Sequence, residues 1–280
     1  MTKNRAFTKT DIFAQLEAMR APRDRVVLMH SSLRLVGLVE GGAKGLLDTL
    51  VDYFTADGGL FCVPTHTWAN LSKKDCYTLD MADPHTCLGA FSDIAAADER
   101  GIRSENPTHS MVVFGDRAKA EDLVRDELDV PSGTAPESCY GKLYRKDGYV
   151  LLVGVPHSKN TYLHCVDEIL GADNRLSKSP KTVSIKRLSG EVVTREIHSH
   201  YTDYTKDISQ RFPKYETAFR YHGAITDGFV GDAPAQLCDA RVMKHVIELI
   251  RSRSNGADPL ADERALDPKL FCRVHYDDAP

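Results

Sequence analysis

The chain has 280 residues, of which 42% are hydrophobic and 27% charged, and it carries a formal charge of -4. That balance fits an ordinary globular enzyme and argues against a disordered or fibrous chain, while the slight acidic excess argues against a nucleic-acid binder with its concentrated basic patch. No apolar run approaches the roughly 18 to 20 residues needed to span a bilayer, and MTKNRAFTKTD at the N-terminus lacks a signal-like apolar segment, so a cytoplasmic protein without a membrane partner is expected.

Taken in chain order, Thr8 to Arg20 reads as a helix: Thr8 can cap, Asp11 stands in the capping-box position, and Ile12, Leu16 and Met19 share a face. RVVLMHSS (25–32) is a short strand, and a helix follows Gly41-Gly42 with Leu46, Leu47, Leu50, Val51 and Phe54 on its apolar side. After the turn at Asp57-Gly58-Gly59 comes the strand LFCVP (60–64), so the opening segment has an α/β rhythm. From Trp68 to Pro84 the pattern reads as a long polar loop, a length more often functional than decorative.

A helix at 89–98, a strand at MVVFG (111–115), a helix at 117–128 and a short helix at 137–146 follow. YVLLVGV (149–155) is the most apolar run and reads as a central buried strand, with TYLHCVDEILG (161–171) as the helix after it. TVSIKRL and EVVTREI flank Ser189-Gly190 as a β-hairpin. Helices at 208–222 and 234–253, with a short apolar stretch at 224–230 between them, complete the pattern. Residues 1–253 are expected to form a single α/β domain, and 254–280, rich in Asp, Pro and Arg, a loosely ordered tail.

Seven cysteines, odd in number and scattered without a CxxC pair, argue against a disulfide framework or a zinc knuckle. His198 and His200 form an HxH pair of the sort that can hold a metal, but no third ligand in a recognised pattern accompanies it, and no metal is expected. GxGxxG, GxxxxGK[ST] and GxSxG are all absent from the sequence, which removes the main support for dinucleotide, P-loop and serine-hydrolase chemistry.

The sharpest chemical signal is a strand ending at Gly154, a polar loop, and a helix bearing His164. Ligands gather at the carboxyl ends of strands in open α/β sheets. On that helix Asp167 (i+3) and Glu168 (i+4) both lie beside His164, so either carboxylate can orient the ring of a general base. His30, Ser31 and Ser32 end the first strand, and Arg103, Ser104, His109 and Ser110 form a further polar cluster, with Arg103 suited to a phosphate.

These segments, in order, resemble the aminoglycoside 3-N-acetyltransferase family. The motifs are HSSLRLVG (30–37) with Gly41-Gly42, CVPTHTW (62–68), RSENPTHS (103–110), SCYGKLYRKDGYVLLVGV (138–155), NTYLHCVDE (160–168) and DGFVGDAPAQL (227–237). The resemblance implies a three-layer α/β/α fold around a central mixed sheet, with an added β-hairpin and helical C-terminal part. It implies acetyl-CoA as co-substrate, direct transfer to an amine of an aminoglycoside antibiotic (the 3-amino group), and so antibiotic resistance. It carries the catalytic histidine onto His164 and its partner onto Asp167 or Glu168, and places the acetyl-CoA site near His30, Ser31, Ser32, Leu33, Val36, Arg103, His109 and Ser110. A polycationic acceptor needs acidic side chains, for which Asp75, Asp80, Asp83, Asp207 and Glu216 are the candidates.

This chain departs from the family pattern at Asn106, at Ser138-Cys139, and at Asp167, where relatives usually carry Glu. Another amine as acceptor, and a thioester or amide hydrolase using Cys165 or a water activated by His164, are the competing readings. Cys165 points about 100° away from its neighbour on a helix, a poor geometry for a Cys/His pair.

Overall fold

The structure is a computed structural model, and it describes residues 5–71 and 77–272. Its strands are β1 (Val26–Ser31), β2 (Leu60–Pro64), β3 (Tyr77–Asp80), β4 (Ile102–Arg103), β5 (Met111–Gly115), β6 (Tyr149–Val153), β7 (Lys181–Lys186), β8 (Val192–Ile197), β9 (Ile225–Val230) and β10 (Ala233–Asp239). Its helices are α1 (Lys9–Ala18), α2 (Leu33–Val36), α3 (Gly42–Thr55), α4 (Trp68–Leu71), α5 (Ala90–Ala96), α6 (Arg117–Leu123), α7 (Cys139–Arg145), α8 (Tyr162–Ile169), α9 (Glu216–Tyr221) and α10 (Ala240–Arg253). A 3₁₀ stretch spans Ile208–Tyr215, so the helix expected at 208–222 is split around Pro213 into a tighter first part and α9.

Seven strands form the main sheet in the order β4-β5-β2-β1-β6-β10-β9. The central three, β2, β1 and β6, are parallel, and antiparallel strands extend the sheet on both sides, which makes it mixed. Alternation along the strands divides the core between two faces. Val26, Leu28, Cys62, Val113, Val150 and Leu152 point toward α6, α7, α8 and α10. Val27, Met29, Phe61, Val63, Val112, Leu151 and Val153 point toward α1, α3 and α5. Burial on both faces is why these runs are continuously apolar. The three-layer α/β/α arrangement follows.

α1 starts with the expected capping box: Asp11 N donates to the Thr8 hydroxyl, and Thr8 N donates to the Asp11 carboxylate. The 181–197 hairpin forms as β7 and β8, and it joins β3 in a separate three-stranded sheet. The region expected to be a long loop therefore contains α4 and β3: Leu79 of β3 is buried against Ile185, a packing that the surrounding polar residues hid.

The helix expected from 234 begins only at Ala240. Ala233, Ala235 and Leu237 alternate into the core as part of β10, and the Asp239 side chain caps α10 by accepting from Val242 N. The tail is also not loose through Cys272. Leu260 is fully buried, Lys214 donates to the carbonyls of Pro259 and Asp262, and Arg253 donates to the Cys272 carbonyl.

Candidate active site

Register brings the chemistry to one edge. His30 on β1 pairs with Leu152 on β6, and Pro64 at the end of β2 pairs with Met111 at the start of β5. The chain after β1, β2 and β6 and the chain before β5 therefore emerge side by side, at the carboxyl ends of the parallel strands. His30, His66 and His109 stand on that edge, and α8 adds His164. His200 arrives from the segment after β8, where it bridges to Leu176 and Tyr201 N donates to the Arg175 carbonyl at 2.9 Å.

Four of these rings form a continuous series. His164 and His200 are stacked, with centroids 3.9 Å apart and planes at 8°. His200 lies 4.8 Å from His109, which lies 4.7 Å from His66. His66 Nε2 ends the series in a 2.6 Å hydrogen bond with the Tyr140 hydroxyl. Phe212 packs edge-on against His164 at 4.8 Å. Gly133 makes the close approach possible on one side: a Cβ there would stand 2.1 Å from His109 Nδ1.

Burial holds the rings neutral. It lowers His164 well below the ordinary imidazole value, with His200, Arg175 and His66 adding to the effect. It takes His200 down to about 4, against a small opposing pull from the Asp207 carboxylate. It also takes His30 down to about 3. A neutral imidazole has a ring nitrogen free to accept a proton. Burial pushes the Cys165 thiol far up, and its Sγ donates to the Ala135 carbonyl at 3.7 Å, which disfavours a thiolate nucleophile.

The two carboxylates that spacing set beside His164 part company. Asp167 is buried and accepts from Arg175 Nε at 2.6 Å, while Arg175 also holds Asp258 of the C-terminal segment at 2.8 Å. Its turn of the helix faces the core, so the expectation that it orients His164 is corrected: a guanidinium claims it. Glu168 accepts from the Ser132 hydroxyl at 2.5 Å and the Thr134 hydroxyl at 2.6 Å. The Thr134 oxygen also lies 2.7 Å from His200 Nε2. Among the described residues, neither carboxylate hydrogen-bonds to His164.

The other expected residues divide similarly. Ser31, Ser32 and Leu33 are partly exposed at the end of β1, and Ser32 precedes α2 without spending its hydroxyl on a cap. Val36 is fully buried in the core, and its carbonyl accepts from Asp232 N, so its side chain is not presented to a ligand. Arg103 donates to the carbonyls of Thr65 and Asp83, and Ser110 donates to the Thr65 carbonyl, so both brace the edge. Asp80 pairs with Lys186 and Asp83 with His85. Glu216 accepts from Arg220 and Gln236. Asp207 has no cationic partner among the described residues, and Asp75 lies outside them. His198 Nδ1 donates to the Ser177 carbonyl, away from the ring series, and no metal-holding group of His, Cys, Asp or Glu occurs among the described residues.

Sequence reasoning missed His66, Thr134 and Tyr140, and it treated His200 only as half of a metal pair. His66 was within reach: it follows β2 as His30 ends β1, and the strand-end rule applies to both. Thr134 carries no sequence signal, because its role depends on a loop meeting α8.

Known structures share this architecture. The apoenzyme crystal structure of the aminoglycoside acetyltransferase AAC(3)-IVa superposes with a TM-score of 0.73 at 25% identity, over 96% of this chain and 93% of that one. AAC-IIIb, solved as a binary complex with CoASH, shares the fold with a TM-score of 0.72 at 21% identity, over 91% of this chain and 100% of that one. In sequence, aminoglycoside N(3)-acetyltransferase III of Pseudomonas aeruginosa is 25% identical over 88% of this chain and 94% of its own length. Aminoglycoside N(3)-acetyltransferase IV of Salmonella sp is 30% identical, and the YokD acetyltransferase-like protein of Bacillus subtilis (strain 168) 25% identical, each over 57% of this chain. Those two matches span 58% and 64% of the relatives' own lengths.

The family model for aminoglycoside 3-N-acetyltransferase matches residues 28–250, and the chain belongs to that family.

Proposed function

We propose that the protein transfers the acetyl group of acetyl-CoA to an amine of an aminoglycoside, the 3-amino group by family resemblance, with His164 as general base. The observation that carries this reading is a neutral, partly exposed His164 at the carboxyl edge of three parallel strands. An ammonium is not a nucleophile. His164 takes its proton, the freed nitrogen attacks the thioester carbonyl carbon, and as the carbon–sulfur bond breaks the second proton that the nitrogen sheds goes to the departing thiolate, giving the amide and free CoA.

The residues present suit the co-substrate. The hydroxyls of Ser31 and Ser32, the latter not spent on a helix cap, can donate to amide or phosphate oxygens, and His30 Nε2 is buried without a partner among the described residues. Asp207, which bears on His200 electrostatically and lacks a cationic partner among the described residues, is the acidic side chain best placed to receive a cationic acceptor.

The test is acetyl-CoA with a panel of aminoglycosides and free thiol as readout. Thiol release with at least one member is expected, and its loss by about 10² to 10⁴ in His164→Ala. No release with any aminoglycoside would reject the acceptor assignment, and full activity in the variant would reject the base. A second reading keeps the transfer and changes the acceptor to a less cationic amine; it is favoured by the neutralisation of Asp80 by Lys186 and of Glu216 by Arg220. Release with simple amines alone would select it.

A further inference from the structure

We propose that Glu168 acts on His164 through a hydroxyl and a second imidazole, so that Thr134 and His200 are positioning residues which fix the plane of the His164 ring. The inference rests on His164 being the base of the proposed reaction. Its starting point is a mismatch: His164 has no hydrogen-bonded carboxylate among the described residues, while the ring stacked on it is held by one at second hand.

Donor and acceptor roles fix the chain of contacts. An ionised carboxylate only accepts, and a threonine hydroxyl has one proton to give. Glu168 Oε1 accepts that proton from Thr134 at 2.6 Å, so the Thr134 oxygen, 2.7 Å from His200 Nε2, accepts in turn from the imidazole. His200 therefore carries its proton on Nε2 and cannot rotate without breaking the link to Thr134. Ser132, which also donates to Glu168, holds the carboxylate from its other oxygen.

A His200 ring locked in this way is a fixed platform. It lies parallel to His164 at 3.9 Å, while Phe212 closes the edge at 4.8 Å. The charged and titratable groups that bear on His164 are His200, His66 and Arg175, with His109 as a further neighbour in the series. All three imidazoles are held neutral by burial, which leaves Arg175 as the fixed positive charge.

Two measurements test the proposal. Nitrogen-15 NMR of the folded protein without substrate reads the His200 tautomer directly, and the Nε2–H form is expected. Thiol-release kinetics then compare Thr134→Val, Thr134→Ser and His200→Phe across pH. The valine variant, isosteric but without the hydroxyl, is expected to lower kcat by about tenfold with KM changed by less than about twofold, and to shift the acid limb of the pH profile. Serine is expected to restore both. Phenylalanine, which keeps a stacked ring but loses the hydrogen bond, is expected to behave as valine does. An unchanged kcat and pH profile in Thr134→Val, or His200 protonated on Nδ1, would overturn the proposal. Absence of thiol release by the wild-type protein would instead sink the proposed function, and the tautomer would still decide the relay.

Discussion

Lowering the pH should destabilise this protein well before its surface ion pairs begin to protonate. Six histidines, His30, His66, His109, His157, His164 and His200, have pKa values depressed mainly by burial. The unfolded chain protonates these rings below about pH 6.5, whereas the folded chain holds them neutral, so their contribution is fully present above that pH and is lost as the pH falls. Between pH 7 and 5 each ring that stays neutral in the folded state costs about 2 kcal/mol, so the six together cost at most about 11 kcal/mol. Glu127, Asp167 and Glu168 oppose this, because burial raises their pKa values and lets the folded state take up protons first. Even if each of the three held one extra proton across the whole range, an offset of about 8 kcal/mol, a net loss of about 3 kcal/mol would remain, a large part of the total stability of about 5 to 15 kcal/mol of an ordinary domain.

Urea unfolding at a series of pH values, followed by circular dichroism, measures the loss. His200→Gln should flatten the slope by about 1.4 kcal/mol per pH unit, the effect of removing one titrating ring. A stability constant within about 1 kcal/mol from pH 7 to 5 would refute the burial-driven neutrality on which the base assignment depends.

Arg175→Met should destabilise by about 3 to 5 kcal/mol, read as a fall in the urea midpoint, because it leaves Asp167 buried and unpaired. Restoration by the double variant with Asp167→Leu would identify the buried charge as the cause. Gly133→Ala should disturb the ring series, since the added methyl would stand 2.1 Å from His109 Nδ1, and the expected sign is a lower kcat with shifted histidine NMR resonances. Cys165→Ala should retain turnover, because its thiol is buried and held protonated; loss of acetyl transfer without loss of stability would bring back the thiol route.

Much of the frame was legible in the sequence because strongly apolar runs and local caps decide it. LFCVP and MVVFG form strands over the residues expected, and Thr8 and Asp11 close the expected capping box. What failed was short and contextual. Leu79 makes β3 a strand only because Ile185 is there to receive it, and the β10 residues extend a sheet that the sequence does not display. The site divides along the same line. His164 could be found because strand, loop and helix follow one another locally. Asp167 and Glu168 could not be told apart, because the choice rests on Arg175, Ser132 and Thr134, whose contacts with α8 are tertiary.

The ring series also bears on how the chain gains activity. His66, His109, Thr134, His164 and His200 come from five separate segments, and strands β1 and β6, which set the edge, are paired across more than a hundred residues. Such non-local pairings form slowly, since loop closure must precede the contacts that reward it. No partly folded form lacking any of these segments can present the complete edge. Return of turnover after dilution from denaturant is therefore a clock for the last step of assembly, and it should lag the recovery of helix signal.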